Sequence, residues 1–401
     1  MKRLKLAKTF NSNLKGVPVQ EIFRLQTPET VALLPSKIPF VKPGLLVNEG
    51  DLVSIGTPLF QDKRDTRIKF LSPGGGKIDK IIFGPRRVIE EIVILLDRQT
   101  EEKSLHKDKK NWHFIDDLLP SIDDTSSIET VESPIKPVDI LKPVDALKPV
   151  DLFKQVESLP RYKLVDLLMR AGMWQMLRQF PFMDIADDKA IFPMIIVSLQ
   201  PEDMFSPSAR AILKDREDFF LCGLSVIKRL ADKVVVVAPE SFISESSTIP
   251  ESSFVSESST ISESSFVSGL SIECGQSHEC GQSQTSSSDH MKIDINDRQV
   301  NFGRQVNFKD IVKEITHITG NRYPCGDPGV ILYKIRKNTD QNRSVAIHPQ
   351  DIIAIGEFFS TGRFPLYRIY TVAGSLDAVS GFAKKKPCHV MARIGCPVTS
   401  L

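Results

Sequence analysis

Apolar positions over residues 1–100 fall in short runs cut by turn residues, which reads as all-β. Gly44-Leu45-Leu46-Val47, the Glu49-Gly50-Asp51 turn, Leu52-Val53 and Gly56-Thr57-Pro58 give hairpin punctuation at short intervals. Lys77–Phe83 and Val88–Leu96 extend the pattern as strands, the second closing the unit. The period then changes. Tyr162–Arg170 is amphipathic, and Ala171–Leu177 reads as helical up to Pro181. Ile191–Leu199 and Lys233–Ala238 are apolar strands on either side of a helix at Asp215–Ala231, whose Phe220, Leu224 and Ile227 share a face. Strand, helix and strand of these lengths suit a right-handed parallel crossover. Gly320–Gly329 is a dense turn that leads into an expected strand at Val330–Ile335. Ile352, Ile355 and Phe359 then mark one helical face, with His348 or Asp351 as cap, Pro349 in the first turn and Gly362 as the stop. Gly356 sits inside that helix, where glycine costs about 1 kcal/mol against alanine, and implies close backbone packing. Tyr367–Val372, β-branched and aromatic, follows as a strand.

Two stretches break the periodicity. Residues 101–158 form a linker in which Lys136-Pro137-Val138-Asp139-Ile140-Leu141 returns at Lys142–Leu147 and again at Lys148–Phe153. A proline in every copy favours an extended spacer. Residues 241–290 are a serine-rich insertion of near-copies, ending in Glu273-Cys274-Gly275-Gln276-Ser277-His278 and its repeat at Glu279–Gln284. Arg298-Gln299-Val300-Asn301-Phe302 likewise returns at Arg304–Phe308. Every repeat has the same six-residue period, yet the units share no sequence. Duplication at gene level, in loops that tolerate length, accounts for them.

Charge changes the picture little. Lys+Arg 52 against Asp+Glu 50 leaves a formal +2, so no polyanion or nucleic-acid partner follows. No apolar run approaches the roughly 18–20 residues of a membrane helix. The basic start, Met1–Lys8, has no apolar core of a signal peptide, so a cytoplasmic location is expected.

The chemistry-bearing residues form no site. The six cysteines, Cys222, Cys274, Cys280, Cys325, Cys388 and Cys396, contain no Cys-x-x-Cys, and free thiols are expected. Cys274, His278 and Cys280 would make a poor metal set, because the cysteines are copies of one another. Cys325 has no His/Asp pattern to activate it. Gly74-Gly75-Gly76 precedes a strand, not a helix, and reads as a turn and not as a phosphate loop. No catalytic, cofactor-binding or metal-binding residue is therefore singled out.

The Glu-Gly-Asp and Gly-x-Pro turns resemble the barrel-sandwich fold of biotinyl and lipoyl domains, in which a lysine at a hairpin tip is modified. Lys63 is the nearest counterpart, although it lies too close to Leu59 and too far from Pro73 for the lipoyl tip. Four segments together resemble the NqrA family of the sodium-translocating NADH:quinone reductase. They are Val31–Asp97 with Val47-Asn48-Glu49-Gly50-Asp51 and Asp62-Lys63, and Leu164–Val197 with Gly172-Met173-Trp174 and Arg178-Gln179-Phe180-Pro181-Phe182. Ala209–Ala238, with Arg216-Glu217-Asp218-Phe219 and Gly223-Leu224, is the third, and Gly320–Leu401 the fourth.

The resemblance implies an α+β multidomain protein. Its parts would be a barrel-sandwich β domain (1–100), a Rossmann-like α/β domain (159–240 and 291–365) and an incomplete β-grasp domain of the SLBB kind (366–401). The last would leave Tyr367–Val372 with an unpaired edge. It implies a peripheral protein on the cytoplasmic face of the bacterial inner membrane. That protein would bind no cofactor and dock on the membrane and cytoplasmic subunits of a complex that couples NADH oxidation and (ubi)quinone reduction to sodium export. Flavins and an iron–sulfur centre would belong to the other subunits, with quinone a candidate ligand here. Family members continue past residue 401, so a truncated, non-functional copy is one alternative. A carrier domain modified on Lys63 and an Rnf-type electron-transport subunit are the others. The residues argue against the Rnf type, since no Cys-x-x-Cys-x-x-Cys-x-x-x-Cys-Pro run is present.

Overall fold

The computed structural model describes residues 1–6, 8–10, 18–97, 100, 159–201, 205–244, 307–373 and 387–398. The proline hexads, the serine-rich copies after Ser244, and Cys274, His278 and Cys280 lie outside those residues.

The first two strands, β1 (Lys2–Arg3) and β2 (Val19–Arg24), pair with residues more than 300 positions away. The strands that follow make the β domain: β3 (Thr30–Leu33), β4 (Pro43–Leu45), β5 (Leu52–Val53), β6 (Pro58–Asp62), β7 (Asp65–Leu71), β8 (Gly76–Phe83) and β9 (Ile89–Leu96). They form two antiparallel sheets, β3-β9-β8-β5 and β4-β6-β7. Strand alternation buries Ile78, Ile81, Ile92 and Ile94 and leaves Lys77, Asp79 and Glu90 in solvent. Phe60 and Phe70, opposite each other in register, stack with ring centroids 4.4 Å apart. The Glu49-Gly50-Asp51 turn is held at both ends. Asp51 accepts from the Asn48 amide at 2.7 Å, and Glu49 accepts from the Ile81 amide at 2.8 Å. Gly50, at φ 92°, supplies the left-handed residue.

The α/β unit is built from α1 (Arg161–Arg170), β10 (Arg178–Gln179), β11 (Asp184–Ile185), β12 (Ile195–Ser198), α2 (Ala209–Leu213), α3 (Glu217–Lys228), β13 (Val234–Pro239), α4 (Glu240–Ser244), α5 (Phe308–Glu314), β14 (His317–Thr319), α6 (Pro328–Ile335), β15 (Val345–Ile347) and α7 (Pro349–Thr361). Its sheet runs β1-β14-β13-β12-β15-β10-β11, parallel from β1 to β15 and antiparallel beyond. Alternate residues of the buried strands serve different layers. Ile195, Val197, Val236 and Ala238 join the core that holds α3 and α7, while Ile196, Val235 and Val237 pack with Ile331 and Leu332 of α6.

Two expectations from the sequence are corrected by the structure. Val330–Ile335 is part of helix α6 and not a strand. The Asp327 side chain accepts from the Val330 amide at 2.8 Å and Pro328 starts the first turn, so an N-cap overrides the β-branched run. Ala171–Leu177 is not one helix. Gly172, at φ 65°, ends the helical run after Arg170, and only the single 3-10 turn Trp174–Met176 follows. A Cβ on Gly172 would lie 2.8 Å from Leu71 Cγ of the β domain, so the glycine also lets the two units touch.

α7 matches its sequence pattern closely. His348 Nδ1 accepts from the Gln350 amide at 3.2 Å, and Gly362 ends the helix at φ 70°. Ile352, Ile355 and Phe359 are fully buried. The expected close packing at Gly356 is its crossing with α3. A Cβ on Gly356 would lie 1.7 Å from Phe219 O, and one on Gly223 would lie 2.0 Å from Ile352 O.

The C-terminal strands β16 (Tyr367–Val372) and β17 (Cys388–Arg393) form an antiparallel pair. β2 adds to the other side of β17 in parallel, giving the order β16-β17-β2. The edge of β16 expected to stand unpaired is taken at its centre. The Gln350 side chain donates to Ile369 O at 3.0 Å and accepts from Ile369 N at 2.8 Å, acting as a one-residue substitute for a strand.

Candidate functional site

In an open α/β sheet, ligands bind outside the carboxyl ends of the strands where the strand order reverses. Here that place lies between β12 and β15, because β12 has β13 on one side and β15 on the other, all parallel. The chain itself fills it. Gln350, just after β15, grips Ile369, and Thr371 Oγ1 donates to the carbonyl of Phe205, after β12, at 2.7 Å. Strand β16 thus spans the crevice that a nucleotide would need.

The side chains around it are charged and largely enclosed. Arg368 Nη1 meets Asp351 Oδ1 at 2.6 Å. That carboxylate is the largest influence on Arg368, raises its pKa and outweighs the burial that lowers it. Arg178, paired beside β15, has its pKa lowered by burial against the opposing pull of Asp351 and Asp184. Its Nη1 is buried without a hydrogen-bond partner among the described residues. Burial lowers the pKa of His348, which suits the neutral ring its capping bond requires. Burial also raises the Tyr370 phenol. Perturbed groups of this kind gather at functional sites and equally in structural ion-pair networks. The network reading fits this geometry, since the Asp351 carboxylate is engaged by Arg368.

His389, 1% exposed, lies beside Thr371, with Nδ1 3.0 Å from Oγ1. The threonine proton is committed to Phe205 O, so the network assigns the ring proton to Nδ1. Nε2 is then a buried acceptor with no partner among the described residues.

The charged series continues to the β domain through the β6–β7 hairpin. Arg64 contacts Asp62 at 2.9 Å and Asp184 at 3.2 Å, and also reaches the Phe40 carbonyl. Arg67 contacts Asp65 at 2.6 Å and Asp188 at 2.8 Å. Burial would push the Asp62 carboxyl up, but hydrogen bonds from Arg64 and the Lys42 amide hold it below the usual range. The hydrogen bond from Arg67 does the same for Asp65. Between hairpin and α/β unit lies a cleft of about 210 Å³, lined by these carboxylates with Ile68, Met169 and Ile185. Drug-sized ligands occupy about 300–1,000 Å³, so this cleft is small for one. Two ion pairs, Arg64–Asp184 and Arg67–Asp188, cross it and make it a clamp between units. Among the described residues no three His, Cys, Asp or Glu side chains converge to hold a metal ion.

Lys63 does stand at a hairpin tip, between β6 and β7, and is exposed. Its stem lies on Gly44 and its amide donates to Lys42 O at 2.8 Å, while the next residue is clamped to Asp184. A carrier lysine needs a tip that swings; this one is docked. Cys325 is buried in its turn, 2% exposed. Gly74 and Gly75 form the expected turn, leading into β8 at Gly76, and the preceding carbonyl, Pro73 O, accepts from Arg393 Nε and Nη2 at 3.0 and 2.8 Å. Sequence reasoning missed Gln350, Thr371, Arg178 and Arg393. None stands out by its local pattern, because each works through a partner far away in the sequence or through its burial.

The fold defines a class: a barrel-sandwich hybrid domain followed by an α/β domain whose sheet crevice is bridged by the chain's own β16. The NqrA N-terminal barrel-sandwich hybrid domain matches residues 4–97, and the NqrA second alpha/beta domain matches residues 159–258 and 286–364. The chain belongs to the NqrA family of the Na(+)-translocating NADH-quinone reductase. The member from Marinomonas sp. is 23% identical over 397 residues, covering 99% of this chain and 64% of the relative. That from Neisseria meningitidis is 23% identical over 373 residues, covering 93% and 60%. That from Tolumonas auensis is 26% identical over 234 residues, covering 58% and 43%. The chain thus spans less than two thirds of the length of these relatives.

Proposed function

We propose that this chain serves as the peripheral, cofactor-free NqrA component of a sodium-pumping NADH:quinone reductase. It docks on the membrane and cytoplasmic subunits at the cytoplasmic face of the membrane. The complex would couple NADH oxidation and quinone reduction to sodium export, with the redox centres carried elsewhere. Family membership and the reductase function that names the relatives support the assignment. The observation that carries the non-catalytic role is the crevice between β12 and β15, occupied by the chain's own β16. No helix among the described residues is long and apolar enough to cross a membrane, which agrees with a peripheral position. The test is co-purification with the membrane subunits, together with an absorption spectrum of the pure chain. The expected result is a stable complex and no visible band. A flavin bound in stoichiometric amount, or failure to join the complex, overturns the reading.

A further inference from the structure

The connection between β8 and β9 is shaped by contradictory demands. Ile82, Phe83 and Val88 are 42%, 53% and 44% exposed, and Pro85, Arg86 and Arg87 between them are exposed too. Arg86 and Arg87 are consecutive residues in the left-handed region, at φ 59° and 57°. Side-chain-bearing residues rarely adopt that conformation, and it persists only where the surroundings enforce it. Here a neck of backbone bonds does so. Gly84 N donates to Val88 O at 2.8 Å, Arg87 N to Gly84 O at 3.2 Å and Val88 N to Pro85 O at 3.3 Å. Glu90 lies against Gly84 at that neck, where a Cβ would meet its carboxylate at 1.9 Å. Neither guanidinium group has an ion-pair or hydrogen-bond partner among the described residues. The result is a braced tip with two unneutralised guanidinium groups in a collar of one aromatic and two aliphatic side chains.

That combination has the chemistry of an interfacial anchor. Apolar side chains gain by entering the headgroup boundary, and arginine matches phosphate oxygens with paired donors. We propose that the β8–β9 tip rests on anionic lipid headgroups, with Phe83 entering the interface and Arg86 and Arg87 meeting phosphates. A protein partner is the less suited occupant, because a stable protein interface takes about 20–30 residues on each side and this tip offers the six exposed residues Ile82, Phe83, Pro85, Arg86, Arg87 and Val88. The inference rests on the reading that the chain sits against a membrane complex, and it adds a second, direct contact to that complex.

The test uses the full chain with vesicles of phosphatidylcholine alone and of equal parts phosphatidylcholine and phosphatidylglycerol, at low and high salt. Wild type is expected to sediment with the mixed vesicles at low salt and to be released by salt. Arg86→Gln with Arg87→Gln should lower that partition about 30-fold, from the contribution of a basic residue near an anionic surface. Phe83→Ser should weaken sedimentation with the mixed vesicles as well. All these residues are exposed, so unchanged melting curves confirm intact folding. No sedimentation of wild type, or equal sedimentation of the arginine variant, overturns the proposal. Loss of the variant from a detergent pull-down with the membrane subunits, without vesicle binding by wild type, assigns the tip to a protein and also overturns it. A failed wild-type pull-down beside retained vesicle binding overturns the reading of the chain as part of the reductase and leaves the tip as proposed.

Discussion

Gly356 and Gly223 show how single atoms decide the packing of this molecule. Each occupies a place where the facing helix backbone comes within 2.0 Å of the position a Cβ would take. Backbone cannot yield as a side chain can, so Gly356→Ala should force α3 and α7 apart and cost about 2–3 kcal/mol in urea unfolding. A cost near zero would mean that the helices do not cross there. Gln350 is the second such residue. Gln350→Ala leaves the N–H and C=O of Ile369 unsatisfied and should cost about 2 kcal/mol. Gln350→Glu should recover only part of this, since a carboxylate accepts from the amide but has nothing to donate to the carbonyl. His317, His348 and His389 set a pH dependence. Burial is the largest cause of a lowered pKa in all three. The unfolded chain takes up protons near the ordinary value of 6.5, while the folded chain resists until lower pH. Their contribution is therefore intact above 6.5 and is lost as pH falls from there toward the folded pKa values. Urea midpoints at about pH 7.5 and about pH 5.5 should fall accordingly, and His389→Gln should reduce the drop.

Among the elements, α6 tests how far a short cap can dominate a sequence. Asp327→Ala removes its N-cap and should cost about 1 kcal/mol in urea unfolding. The helix is hidden in the sequence because Val330-Ile331-Leu332-Tyr333 has the composition of a strand and is too short to show a period. Asp327-Pro328 is the legible sign, yet the same pair reads equally well as part of the turn. By contrast α7, with cap, proline, three-residue spacing and terminal glycine, is legible throughout, and so are β8, β9 and β13. The closed crevice is not. Its parts, Gln350, Thr371 and Phe205, are far apart in sequence, and a bond between them depends on tertiary placement. The six-residue duplication also meets structure at one place. Asn307 caps α5, with Asp310 completing a capping box. The earlier copy has Asn301 with Arg304 three residues on, so it lacks the acid that closes the box. Only the second copy can start the helix in this way.

At the scale of the whole molecule, the β domain meets the α/β unit through charges and a glycine contact, and the C-terminal sheet through one buried arginine. The Arg64–Asp184 pair is about two-fifths exposed on both sides, at 40% and 39%. Pairs so exposed contribute little, so Asp184→Asn with Asp188→Asn should lower the unfolding free energy by less than about 1 kcal/mol. Replacing Arg393, 4% exposed and bonded twice to Pro73 O, should cost more than that pair of changes together. Comparing the urea unfolding of the two variants checks the ranking; an equal loss would place the joint in the surface charges instead.

The parallel pairing of β2 with β17 carries a consequence for synthesis. Val19 leaves the ribosome early, yet its partner Cys388 is made 369 positions later (388 − 19). Until then β2 has no strand to receive it. A nascent chain must therefore hold an unpaired strand while the intervening residues are made, which is the condition in which chaperones capture polypeptides. Stalled chains released before β17 should therefore stay bound to chaperones, whereas those that reach it can pair β2.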